Sequence, residues 1–97
     1  MNRLEHLLFI VSEECAEIAQ RASKCARFGL GDKEPGQDLT NEQRVWGEIN
    51  DLMGSLEFLM ETTGNTTGFS REAIDAKKAK VEKFLLYSKN LGTLTDD

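Results

Sequence analysis

An all-α fold is predicted by three features of the sequence. Apolar residues recur at steps of three and four along three long segments, and the strict apolar–polar alternation of a strand is absent. The breaks between segments coincide with GLGDKEPG and TGNTTG, where most of the glycines and the only proline gather. The first segment, Asn2 to Phe28, carries Leu4, Leu8, Val11, Cys15, Ile18, Ala22 and Cys25 along one face. Gly29, Gly31, Pro35 and Gly36 then open a loop of about a dozen residues, near the upper limit for an unstructured connection and so a place to expect function. Thr40 and Gln43 spell a capping box, so the second helix starts there and runs through Val45, Ile49, Leu52, Met53, Leu56, Leu59 and Met60 to Thr63 and Gly64. Gly47 and Gly54 lie inside it at a cost of up to about 1 kcal/mol each, which implies close approach by another helix or a ligand. Ser70 caps a third helix whose face is Ile74, Val81, Phe84, Leu85 and Ser88, and the tail from 92 to 97 is expected to fray.

These segments make a single domain, 1–97, of three amphipathic helices. A chain of 97 residues buries only about 60 to 65% of its unfolded surface. Partner copies are therefore expected to complete a four-helix-bundle core by homo-oligomerisation, as a homodimer or a homotetramer. Cys15 and Cys25 stand about 15 Å apart along one helix, too far for a disulfide, and read as reduced core thiols. The hydrophobic fraction, 39%, is too high for a disordered chain, and no apolar run is long enough to span a membrane. Glu5, His6, Glu13 and Glu14 interrupt the opening where a signal peptide needs an apolar stretch, so a cytoplasmic location is expected. With 17 acidic against 12 basic residues and a net charge of −5, a general nucleic-acid binder is disfavoured, since phosphate backbones are held by clustered Lys and Arg.

Some of the excess acid lies in an informative place. At about 100° per residue, Glu14 falls on the shoulder of the first helix's apolar arc, with Glu17 one turn away on the same side. Glu48 adjoins the arc of the second helix, with Asp51 its i+3 neighbour. Antiparallel packing would bring four carboxylates to one groove, an arrangement that like-charge repulsion disfavours unless a cation lies between them. Oxygen-only donors favour Mg²⁺ or Mn²⁺ over zinc. A di-iron site needs Glu-x-x-His on two helices, and the only histidine, His6, sits in no such motif. The competing reading is a solvated charged face, in which Glu17 pairs with Arg21 at i+4.

Through these residues the chain resembles the MazG-like all-α nucleoside triphosphate pyrophosphohydrolases, which share a fold with dimeric dUTPases and phosphoribosyl-ATP pyrophosphohydrolases. Glu13-Glu14-Cys15-Ala16-Glu17 matches the family's E-E-x-x-E helix, and Glu48-Ile49-Asn50-Asp51 its E-x-x-D helix. The resemblance spans about Leu4 to Leu59; the stretch between the two motifs is slightly longer than in a typical member. It implies Mg²⁺ held by Glu14, Glu17, Glu48 and Asp51, with Mn²⁺ a possible substitute. It also implies cleavage of a (d)NTP between the α and β phosphates to (d)NMP and pyrophosphate, in nucleotide-pool control. Glu13 or Glu17 would take the proton of the attacking water. Candidates for holding the triphosphate are Lys24, Lys77 and Lys78, with Arg21 and Arg27 beside them, and Trp46 is a candidate for stacking on the base. Each has a bland alternative, snorkelling for the lysines and packing for the tryptophan. Two other functions remain open: a non-enzymatic helical interaction or regulatory module with an acidic groove, and, within the fold, a dUTPase-like or phosphoribosyl-ATP substrate.

Overall fold

A computed structural model describes residues 1–95. Its elements are α1 (Arg3–Phe28), α2 (Asn41–Thr63) and α3 (Arg71–Leu91), which makes the chain all-α. The described residues form two compact units that divide after Asn65.

In the first unit, local chemistry fixes both ends of each helix. The Asn2 side chain accepts a hydrogen bond from the Glu5 N–H at 2.9 Å, and Gly29, at φ 98°, closes α1 by donating its N–H to the Cys25 carbonyl. The capping box at α2 is complete: the Gln43 N–H donates to Thr40 Oγ1 at 3.1 Å and the Thr40 N–H to Gln43 Oε1 at 2.9 Å. Replacing Thr40 with alanine is expected to cost about 1 kcal/mol, and Thr40→Ser much less, in denaturant melts followed by circular dichroism.

α1 and α2 form an antiparallel hairpin. At its open end the Arg3 guanidinium lies 4.7 Å from the Phe58 ring centroid. At its closed end the Asn41 side chain donates to the Gly29 carbonyl, while the Asn41 and Glu42 N–H groups donate to Asp32 and Leu30. Asn41 is the one buried polar residue among those described, and its bonds tie the loop across the helix start. Among the described residues no apolar side chain is fully buried.

The inner face of α1 differs from the predicted one. It is the half-buried stripe of Leu7, Val11, Glu14, Ile18, Arg21 and Cys25, while Leu8, Cys15 and Ala22 are exposed. The apolar arc of α1 is wider than one neighbouring helix covers, and α2 takes only one side of it. Cys15 is exposed and Cys25 only half-buried, which corrects the expectation of core thiols; both are free. A Cβ at Gly47 or Gly54 would meet nothing within 4 Å. Within one chain, neither marks a close helix approach.

In the second unit, Ser70 Oγ accepts from the Ala73 N–H at 3.1 Å, as its sequence position predicts for a cap. Gly92 ends α3 in the left-handed region, and the N–H groups of Thr93 and Leu94 return to the Ser88 carbonyl. Residues 92–94 are thus tied to the helix end, and positions 96 and 97 of the expected tail lie outside the described residues. Of the predicted core face of α3, Ile74, Val81, Phe84 and Leu85 are exposed within the second unit.

Candidate metal centre

Two helical stripes build the centre. Glu14, Glu17 and Arg21 follow one another at i, i+3 and i+7 on α1, and Arg44, Glu48 and Asp51 do the same at i, i+4 and i+7 on α2. Because the hairpin is antiparallel, the carboxylates of one stripe face those of the other. Glu14, Glu17 and Glu48 each place an oxygen within 4.8 Å of the other two. Glu14 Oε2 is inaccessible to solvent and has no hydrogen-bond partner among the described residues. An orphaned carboxylate oxygen turned into a cluster of like charge is unfavourable by itself and suits a bound cation.

The electrostatics record the same strain. Desolvation, followed by the charges of Glu17, Asp51 and Glu13, raises the Glu14 carboxyl above the usual carboxylate range. Glu48 is raised as well, first by its hydrogen bond with Glu17, then by desolvation and by the charges of Glu17, Asp51 and Glu14. Asp51 is exposed and adds to the negative field without joining the tight triad. Glu13 is exposed on the outer side of α1. The donor set is all carboxylate oxygen, so the residues fit a hard divalent cation, and the triad contains no histidine or cysteine.

On the open-end side of the carboxylates, Leu7, Ile10, Gly54, Ser55 and Phe58 line a groove of about 500 Å³ that reaches Glu14, Asn50 and Asp51. On the loop side the charge reverses. Glu34 of the loop lies 2.6 Å from Arg44, 3.7 Å from Lys24 and 4.0 Å from Arg21. The hydrogen bond from Arg44 and the charge of Lys24 hold its carboxyl below the usual range, against desolvation. Arg21 turns to Glu34, and no ion pair joins it to Glu17 among the described residues. The i+4 pairing that would have made this a solvated charged face is therefore not formed.

Of the substrate-binding candidates, Lys24 belongs to this cation cluster. Trp46 is 56% exposed on α2, and Arg27 stacks on Phe28 with its guanidinium carbon 4.9 Å from the ring centroid. Lys77 and Lys78 are exposed on α3 in the second unit. Sequence reading missed Glu34 and Arg44. The available signal was Arg44 standing four residues before Glu48, as Arg21 stands four after Glu17. No family model matches the chain, and no curated protein or solved structure matches it either.

Proposed function

We propose that the chain is a divalent-cation-dependent nucleoside triphosphate pyrophosphohydrolase of the MazG-like kind, acting as a homodimer or homotetramer. The convergence of Glu14, Glu17 and Glu48, with one Glu14 oxygen buried and unpaired, carries this reading. These three would hold Mg²⁺, with Asp51 beside them as a further ligand for the ion or its waters. When bound, the cation supplies neutralisation of the triphosphate and lowers the pKa of the attacking water.

The chain's own residues supply the rest. Glu17 is the exposed member of the triad and therefore the one open to water, so it is placed to accept the proton. Glu13, one residue before Glu14, lies outside the triad and is a weaker acceptor. The uncovered apolar side chains of α1 and α3 support assembly with further copies, because a face of this kind is costly to leave in water.

Product chromatography over a panel of canonical and modified nucleoside triphosphates tests the proposal, with phosphoribosyl-ATP and dUTP included. Mg²⁺-dependent release of monophosphate and pyrophosphate is expected, and Asp51→Asn should lower turnover by about 100-fold or more while helicity is retained. An absence of product across the panel, with no effect of Mg²⁺ on the melting temperature, would favour a non-enzymatic module that binds basic partners in its acidic groove.

A further inference from the structure

Glu34 is outnumbered. Three cationic side chains from two helices converge on one loop carboxylate, and each is largely covered: the side chains of Arg44, Arg21 and Lys24 retain 15, 20 and 28% of their exposure against 44% for Glu34. Of the three, only Arg44 donates a hydrogen bond to it. Arg21 Nη1 is shut off from solvent and has no hydrogen-bond partner among the described residues. A buried guanidinium donor without an acceptor is costly, and a single carboxylate held at 4.0 Å leaves that cost standing. The cluster is built for an acceptor with more oxygens than Glu34 offers. Even counting Asp32, which lines the adjoining cavity of about 240 Å³ with Lys24 and Glu34, positive charge is in excess.

The position of the cluster says what that acceptor is. Arg21 follows Glu17 by four residues on α1 and Arg44 precedes Glu48 by four on α2, so these two cations lie about 6 Å along the hairpin from the nearest carboxylates, with Lys24 about one turn farther. The apolar groove lies beyond the carboxylates on the other side. The hairpin thus presents, in order, an apolar wall, a hard-cation site and a cationic cradle, which matches the order of base, inner phosphate and outer phosphates in a nucleoside triphosphate.

We propose that Glu34 is a built-in counter-ion: it occupies a cradle of Arg21, Lys24 and Arg44 that takes the two outer phosphates of the substrate, and it is displaced when they bind. This deepens the hydrolase reading and rests on it for the identity of the substrate. The loop carboxylate keeps the cations together in the resting protein and raises the affinity threshold for a lone anion. Its return to Arg44 after cleavage helps expel pyrophosphate.

The test uses inorganic tripolyphosphate and the full chain in EDTA, followed by isothermal titration calorimetry, so that no metal chemistry enters. Wild type should bind, more weakly as salt rises. Glu34→Gln keeps an acceptor for Arg44 but removes the competing charge, and should tighten binding by about tenfold. Lys24→Gln leaves the Arg44–Glu34 bond in place and should weaken binding by about tenfold. Glu57→Gln, an equal charge change at an exposed site on α2, controls for net charge and should have little effect. The proposal is overturned if wild type and Glu34→Gln both fail to bind, if Glu34→Gln binds no better than wild type, if Glu57→Gln tightens binding as much as Glu34→Gln does, or if Lys24→Gln binds as wild type does. If the pattern holds in EDTA and the nucleotide panel with Mg²⁺ shows no product, the cradle stands and the hydrolase reading falls.

Discussion

Replacing Glu48 with glutamine is expected to raise the melting temperature of the metal-free protein and to abolish the further rise that Mg²⁺ or Mn²⁺ produces in the wild type. Opposite signs in one variant are the signature of a carboxylate held among like charges for the sake of a cation. Glu48 faces Glu17, Glu14 and Asp51, and removing its charge relieves that repulsion when no metal is present. With metal at 100 times its Kd, a single site stabilises by about 2.7 kcal/mol, or about 10 °C or more for a chain of this size. A wild type that shows no metal-dependent shift, or a variant that keeps it, refutes the assignment.

The dependence on pH follows from the directions of the shifts. Glu14 and Glu48 have raised carboxyls, so the native state binds more protons than the unfolded chain in the window above the ordinary carboxylate range. Metal-free stability therefore falls as pH rises through that window, and Glu48→Gln removes part of the slope. The stabilisation by metal runs the other way and grows with pH, because the ion binds deprotonated carboxylates. Glu34 has a lowered carboxyl, and its contribution is present above the ordinary range and lost as pH falls through the depressed value. Melting curves between about pH 4 and 8, with and without Mg²⁺, separate these contributions.

A strong dependence of stability on protein concentration is the second large effect. The described residues bury no apolar side chain completely, and Leu8, Phe9, Phe84 and Leu86 are each at least half exposed. If copies of the chain cover these faces, unfolding is coupled to dissociation. A thousandfold dilution then costs an associating pair about 4.1 kcal/mol, which is about 2 per chain and lowers the melting temperature by about 10 °C. Calorimetry and sedimentation over that range measure it, and a monomer with a concentration-independent melt refutes the assembly.

The helices and their ends were legible in the sequence because they depend on near neighbours. Thr40 with Gln43, and Ser70 with Ala73, act over three residues, and the glycine stops act over one or two. The carboxylate spacing was legible for the same reason: on antiparallel packing it predicts Glu14, Glu17, Glu48 and Asp51 at one groove, of which the structure brings the first three within reach of one ion and leaves Asp51 exposed beside them. The inner face of α1 was not, because an apolar arc wider than one partner helix does not say which side that partner takes. Cys15 and Leu8 were read as core on apolar weight, whereas packing against α2 turned Glu14 and Arg21 inward instead.

The sequence by itself determined three helices, their caps and the pairing of acid residues at helical spacing, since these follow from backbone geometry and local hydrogen bonds. Only the tertiary structure decided that an antiparallel hairpin sets one stripe of Glu and Arg against another, and that Glu34 reaches Arg21, Lys24 and Arg44 across separations of 10 to 13 residues. The loop between α1 and α2 has no periodicity from which its path can be read. Its course is fixed by Asn41 and Arg44 on the far helix, and such long-range contacts form only once the hairpin has closed.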